Sequence, residues 1–276
     1  MSNSVDCNFS QSGKGPGLFL IHGIGAAEDA WRFIVPKLSE YFTVVTYDLR
    51  GHGNSPLTNK DFTLDDLVQD LETVREKTKI EKAHFFGHSL GGMIAPAYAK
   101  KFPHNTISLG LLSTVAARSL EDKNKILNVI KKMETEGIPK ILLTLTNRWF
   151  TDYFIRKNPS IVDRRIKQVI HTNPEVFLKV FKIYAETEMI SWLKDITKPS
   201  LVMTGEDDLG CSPIHNKKIS RELINSKLVI LPNVKHSILL EKPDETANNI
   251  INSAFKFGIN TFDTADFYSL GKSEAR

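Results

Sequence analysis

The 276 residues include 36 Lys and Arg against 32 Asp and Glu, a formal net charge of +4, and 41% of them are apolar. This is ordinary globular composition with length for one large domain or a domain carrying an insertion, and the charges form no run of one sign that would make an interaction tail, so no nucleic-acid partner is expected. Two cysteines, Cys7 and Cys211, are too few for a disulfide framework and stand in no metal-ligand spacing. The opening segment MSNSVDCNFSQSGKG lacks a signal-peptide pattern and no apolar run approaches about 18 residues, so the expectation is a soluble, cytoplasmic protein without a membrane span.

Leu18 to Ile21 (LFLI) and Phe42 to Tyr47 (FTVVTY) are short apolar runs that end in turn-rich sequence, the pattern of buried strands. Between them, Ala30 to Tyr41 has helical spacing that Pro36 should kink or shorten. Thr63 opens TLDD, in which its hydroxyl can cap the first turn and Asp66 can reach back. Leu64, Leu67, Val68, Leu71 and Val74 then mark one face of a helix running to about Lys79. A strand at Ala83 to Phe86, the turn GHSLGG, a helix through MIAPAYAKKF and a strand at Ile107 to Leu112 continue a βαβαβαβ alternation. Parallel strands need such long crossovers, so helices should lie on both faces of a mostly parallel sheet.

The alternation stops after Ser113. Residues 117–195 read as several helices with no convincing strand, an inserted cap whose apolar residues, Trp149, Phe150, Phe154, Phe177 and Phe181 among them, either cover the ligand-binding edge of the sheet or hold the cap together. A strand at Ser200 to Thr204, a helix at Ile214 to Leu223, a strand at Lys227 to Leu231 and a helix at about Pro243 to Phe257 complete the pattern. The expected division is therefore a core of 1–116 and 196–257 interrupted by a cap of 117–195, with a tail of 258–276.

Gly87-His88-Ser89-Leu90-Gly91 fits G-x-S-x-G and stands between a predicted strand and a predicted helix. On so sharp a turn the serine takes a strained backbone conformation and its hydroxyl points out of the sheet, while the flanking glycines let strand and helix pass closely. A serine hydroxyl is a poor nucleophile until a base takes its proton, so a histidine and an orienting carboxylate are sought downstream. His236 follows the strand that ends at Leu231 and is the candidate base; His215, at a probable helix start, reads as a surface residue, and His88 as a packing residue. Gly205-Glu206-Asp207-Asp208, at the end of SLVMT, offers three carboxylates. The developing oxyanion needs two backbone donors, for which the Leu90 amide and the Ile24 amide in His22-Gly23-Ile24-Gly25 are the candidates.

HGIG, DLRGHGNSP, GHSLGG, GEDD and VKHSILLEKP occur in an order that resembles the α/β-hydrolase superfamily and together span about Leu18 to Phe257. The resemblance implies an α/β-hydrolase fold, with an eight-stranded-type sheet flanked by helices and a helical cap. It also implies a Ser-His-Asp triad, no metal or organic cofactor, and a small-molecule substrate. It favours Asp208 as the acid, although the loop from Asp208 to Pro213 is a residue longer than usual and keeps Asp207 in competition. Serine at position 89 is similar to the esterase, lactonase and carbon-carbon hydrolase branches, unlike the branches with aspartate there. The leading expectation is hydrolysis of a small carboxylic ester or lactone through an acyl-enzyme. The alternatives are cleavage of an activated carbon-carbon or amide bond and a non-catalytic ligand-binding module. Arg118, Arg148 and Arg156 in the cap could meet a substrate carboxylate, although exposed helix arginines are usually solvated. The stretch AFKFGINTFDTADFYSLGKSEAR resembles the early segment of aldo-keto reductases, whose active-site aspartate and tyrosine would be Asp263 and Tyr268. Those enzymes need a complete (β/α)₈ barrel, so no reductase activity is expected and the tail is expected to be loosely ordered.

Overall fold

Side chains alternate across a strand, and in Gly17–Ile21 (β2) Leu18 and Leu20 join one apolar cluster while Phe19 and Ile21 join another. Both faces of the sheet are thus buried, as an apolar run without polar alternation demands. The computed structural model describes residues 4–57 and 61–258. Among them, Phe9–Ser12 (β1), β2, Thr43–Tyr47 (β3), Ala83–His88 (β4), Thr106–Leu112 (β5), Ser200–Gly205 (β6) and Ser226–Leu231 (β7) form one sheet in the order β1-β3-β2-β4-β5-β6-β7. Every neighbouring pair is parallel except β1 with β3.

Leu64–Thr78 (α2) and Gly91–Lys101 (α3) pack their apolar stripes on the Phe19 face, whereas Val35–Leu38 (α1) and Pro243–Gly258 (α12) cover the Leu18 face. The Thr63 cap of α2 forms as the sequence implies, with the Asp66 carboxylate accepting from the Thr63 amide at 2.8 Å. Pro213–Glu222 (α10) and Ile238–Glu241 (α11) complete the core helices.

Two expectations are corrected. The sheet has seven strands among the described residues, not eight. Its edge strand β1, FSQS, carries no apolar signal because it is largely exposed and held by pairing to β3. The helix expected over residues 30–41 is instead a 3-10 turn at Glu28–Trp31 followed by α1, with Pro36 in the first turn of α1. Proline lacks the amide proton that a continuing helix requires there, so the chain restarts.

Between β5 and β6 lie only helices: Leu120–Glu136 (α4), Ile138–Trp149 (α5), Asp152–Lys157 (α6), Pro159–His171 (α7), Pro174–Glu186 (α8) and Ile190–Leu193 (α9). Ser119, Thr151 and Asn173 cap α4, α6 and α8 with their side chains. The apolar residues of these helices fall into separate clusters. Val176, Val180, Ile183 and Tyr184 join the Phe19-side core, whereas Ile138, Leu142, Val169 and Phe177 cluster with one another, as do Phe150, Phe154 and Val162.

After β3, the guanidinium of Arg50 donates from Nε and Nη2 to the two carboxylate oxygens of Asp70 on α2, at 2.6 and 2.7 Å, with both side chains excluded from solvent. Asp70 also accepts from the Val5 amide at 2.7 Å, tying the N-terminal segment to the same pair. Removing one partner leaves a buried charge uncompensated. Asp70→Ala should therefore destabilise the fold by about 3–5 kcal/mol in urea unfolding; a loss below about 1 kcal/mol would mean that Arg50 reaches water when released.

Candidate active site

Ser89 sits between β4 and α3 with φ at 57°, in the left-handed region. A non-glycine residue there costs about 1–3 kcal/mol and persists only where the surroundings hold it. The restraints are visible: the Ser89 amide donates to the Leu112 carbonyl at 2.9 Å, and the Thr114 hydroxyl and the Gly92 amide donate to the Ser89 carbonyl at 2.8 and 3.0 Å. A Cβ on Gly87 would lie 1.9 Å from the Gly91 carbonyl oxygen, and one on Gly91 2.1 Å from that of Ile21. Strand and helix can make this turn only with glycine at both positions.

Asp208 follows β6 and is buried, whereas Glu206 and Asp207 are exposed. Its Oδ2 accepts from His236 Nδ1 at 2.8 Å, and its Oδ1 accepts from the amides of Gly210 and Cys211 at 2.9 and 2.8 Å. The longer loop between Asp208 and Pro213 thus folds back onto the carboxylate. Burial works to raise the Asp208 carboxyl, but the facing His236 and these amides outweigh it and hold it below its usual value. Burial likewise works to lower the His236 imidazole, yet Asp208 raises it above the ordinary 6.5. His215 lies apart, half-buried beside the Ser212 hydroxyl at 3.0 Å.

The amides of Ile24 and Leu90 meet no acceptor among the described residues. Leu90 is fully buried, and a buried amide without an acceptor is rare unless a ligand supplies one. The loop that carries Ile24 is held from several directions. His22 accepts from the Leu49 amide at 2.9 Å and donates to the Gly23 carbonyl at 2.7 Å. His52 accepts from the Gly25 amide at 3.2 Å and donates to the Arg50 carbonyl at 3.1 Å. Burial pushes the two imidazoles down to about 4 and about 3, so both stay neutral and each offers one donor and one acceptor. From α7, Arg165 donates to the Ile24 carbonyl at 2.8 Å and also to that of Gly25.

These supports were missed in the sequence, where HGIG and RGHG are visible but nothing announces that His22 and His52 clasp one loop or that Arg165 reaches it from the inserted helices. His88 is also more than packing. Its ring lies 4.9 Å from that of His236 and its Nε2 donates to the His236 carbonyl at 3.0 Å, while burial keeps it neutral, at about 3.

A cavity of about 180 Å³ joins these groups, with Ser89, His236 and Ile24 in its wall and Leu145, Trp149 and Phe181 of the inserted helices opposite. Arg148 lines it as well. Arg118 instead donates to the carbonyls of Ala185 and Thr187 and stacks on Tyr184, and the exposed Arg156 forms no part of the cavity wall. Asp208, Cys211 and His236 present potential metal-ligating atoms within 4.8 Å of one another, although Asp208 and His236 already engage each other. No helix among the described residues is long and apolar enough to cross a membrane.

Residues 16–135 match the family model described as alpha/beta hydrolase fold. Across 249 residues the chain is 23% identical to an (E)-2-((N-methylformamido)methylene)succinate hydrolase of Acinetobacter baylyi, covering 89% of this chain and 92% of that protein. It is 26% identical over 202 residues to 3-oxoadipate enol-lactonase 1 of the same organism, covering 70% and 71%. The crystal structure of the enol-lactonase from Burkholderia xenovorans LB400 superposes with a TM-score of 0.85 at 23% identity, over 91% of this chain and 97% of that one. The aldo/keto reductase family model matches residues 236–276, reaching further upstream than the tail resemblance. The part up to 258 forms α11 and α12, whose Ile238, Leu239, Ile250 and Ala254 pack against the open sheet rather than in a barrel. Asp263, Tyr268 and the order expected of the tail lie outside the described residues. The motifs, the seven-stranded sheet and these likenesses agree on an α/β-hydrolase fold and on an enzyme of the serine-hydrolase type.

Proposed function

We propose that the protein hydrolyses a small carboxylic ester or lactone through an acyl-enzyme, with Ser89 as nucleophile, His236 as general base and acid, and Asp208 as the orienting carboxylate. The observation that carries this reading is the 2.8 Å bond from His236 Nδ1 to the buried Asp208, in the wall of a cavity shared with a strained serine. That bond fixes the imidazole tautomer with Nε2 free to accept a proton. Ser89 Oγ attacks the carbonyl carbon as His236 takes the hydroxyl proton, and the oxygen that gains charge is received by the Ile24 and Leu90 amides. Collapse breaks the bond to the leaving oxygen, which receives the proton from His236. Water then repeats the sequence on the acyl-enzyme, releasing the acid and restoring Ser89.

Residues 117–195 act in this reading as a cap, because their helices wall the cavity and exclude water from it. The relatives named enol-lactonases support the lactone side of the substrate class.

A fluorophosphonate probe should add once to the intact protein, seen by mass spectrometry, and not to Ser89→Ala. Absence of labelling on folded native protein would remove the nucleophile assignment. Ser89→Ala and His236→Ala should each lower kcat on a small ester by about three to six orders of magnitude.

His236 must be unprotonated to act as a base, so kcat/KM should rise with pH through its titration. Because Asp208 raises that titration, the midpoint should lie above 6.5. Asp208→Asn should lower kcat by about two to four orders of magnitude and move the residual midpoint to lower pH, since burial then acts without the opposing carboxylate. A crippled Asp207→Asn beside a silent Asp208→Asn would exchange the two assignments.

A further inference from the structure

The cavity wall holds four arginines, Arg32, Arg148, Arg164 and Arg165, whereas its one carboxylate, Asp208, is engaged by His236. Arg32 follows the 3-10 turn after the oxyanion loop; Arg148 is on α5, and Arg164 and Arg165 are on α7. Their contacts leave the positive charge largely unbalanced. Asp29, on the 3-10 turn, pairs with Arg164 at 2.5 Å and also accepts from Gln168. Arg32 donates to the Asp29 backbone carbonyl at 3.1 Å and lies over the Phe33 ring. Among the described residues, Arg165 donates only to the carbonyls of Ile24 and Gly25 and lies over Trp149, 5.1 Å from the ring centre. Arg148 makes no hydrogen bond, ion pair or ring contact among the described residues. Asp29 is thus the one carboxylate in an ion pair with any of the four.

Four guanidinium groups at one mostly apolar cavity, Arg32 and Arg165 half-buried and Arg148 and Arg164 exposed, create a positive potential that attracts an anion. Burial, with Arg164 adding repulsion, pulls Arg32 below its usual value, and burial brings Arg165 to about 10. Planar guanidinium forks match a carboxylate, and a cavity of about 180 Å³ suits a short acyl chain ending in one.

We infer that the substrate of this hydrolase is an anion, carrying a free carboxylate besides its scissile carbonyl, and that Arg148 and Arg164, with Arg32 beside them, bind that carboxylate. This rests on the serine-hydrolase reading above and narrows its substrate class. Arg165 is set apart as a positioning residue, because it holds the loop bearing the Ile24 amide.

The test compares mono-4-nitrophenyl glutarate with its methyl-capped counterpart, substrates that share the scissile ester and differ in one charge, each corrected for spontaneous hydrolysis. On the native enzyme kcat/KM should favour the carboxylate by about tenfold or more, chiefly through KM. The preference should weaken as salt is added. In the Arg148→Gln/Arg164→Gln double variant the ratio between the two substrates should fall toward one. Both substitutions lie at exposed helix positions, and the ratio is internal to each protein, so a change in folded fraction cancels. Equal turnover of both esters by native enzyme, or a preference that survives in the double variant, overturns the inference and leaves the serine mechanism standing. If neither ester is turned over and Ser89 takes no fluorophosphonate, the underlying reading fails instead.

Discussion

A serine held at φ 57° cannot be left to local preference, because an L-residue gains nothing from that conformation by itself. Every element around Ser89 contributes to holding it. β5 supplies the Leu112 carbonyl, the following loop supplies Thr114, and α3 begins immediately after Leu90. Because the turn is forced between a central strand and a buried helix, the hydroxyl emerges at the carboxyl edge of the sheet. That is the edge at which the loops after β2, β6 and β7 also begin. The position of the candidate nucleophile therefore dictates where its partners must come from: Ile24 after β2, Asp208 after β6 and His236 after β7.

Electrostatically the site separates one polarised carboxylate-imidazole pair from three imidazoles kept neutral by burial. Asp208 and His236 form one polarised pair, with the carboxyl lowered and the imidazole raised by their mutual attraction against the opposing effect of burial. His88 lies against His236, while His22 and His52 hold the Ile24 loop; all three are kept neutral by burial, and each spends a ring nitrogen on a backbone carbonyl. A neutral histidine is suited to this, since it donates and accepts in fixed directions without adding charge. Positive charge enters instead from arginines, which remain protonated when partly buried.

The inserted helices are consequently more than a cover. Through Arg165 they grip the backbone of the loop that carries Ile24, and through Trp149 and Phe181 they form the wall facing Ser89. A shift of α7 relative to the sheet would alter the direction of the Ile24 amide and the placing of Arg164 together. The Ile24 loop and Arg164 are in this way tied to one helix.

The sequence by itself determined the parts that depend on local sterics and periodicity. The glycine-bounded apolar runs announced β2 to β7, TLDD announced the start of α2, and Gly87 to Gly91 announced the elbow, since only glycines permit that approach of strand to helix. It also placed the candidate base, His236, after the last strand. It did not reveal β1, whose polar residues are held by pairing rather than by burial, nor how the helix around Pro36 would break. Among the three carboxylates after β6, local sequence offered no distinction. Only the folded loop buries Asp208 against His236 while leaving Asp207 and Glu206 in solvent. The grip of His22, His52 and Arg165 on one loop, and the gathering of four arginines around one cavity, likewise belong to the tertiary structure alone. They join residues as much as 141 positions apart, and no propensity or short-range spacing encodes which distant side chains meet when a sheet and its inserted helices close on each other.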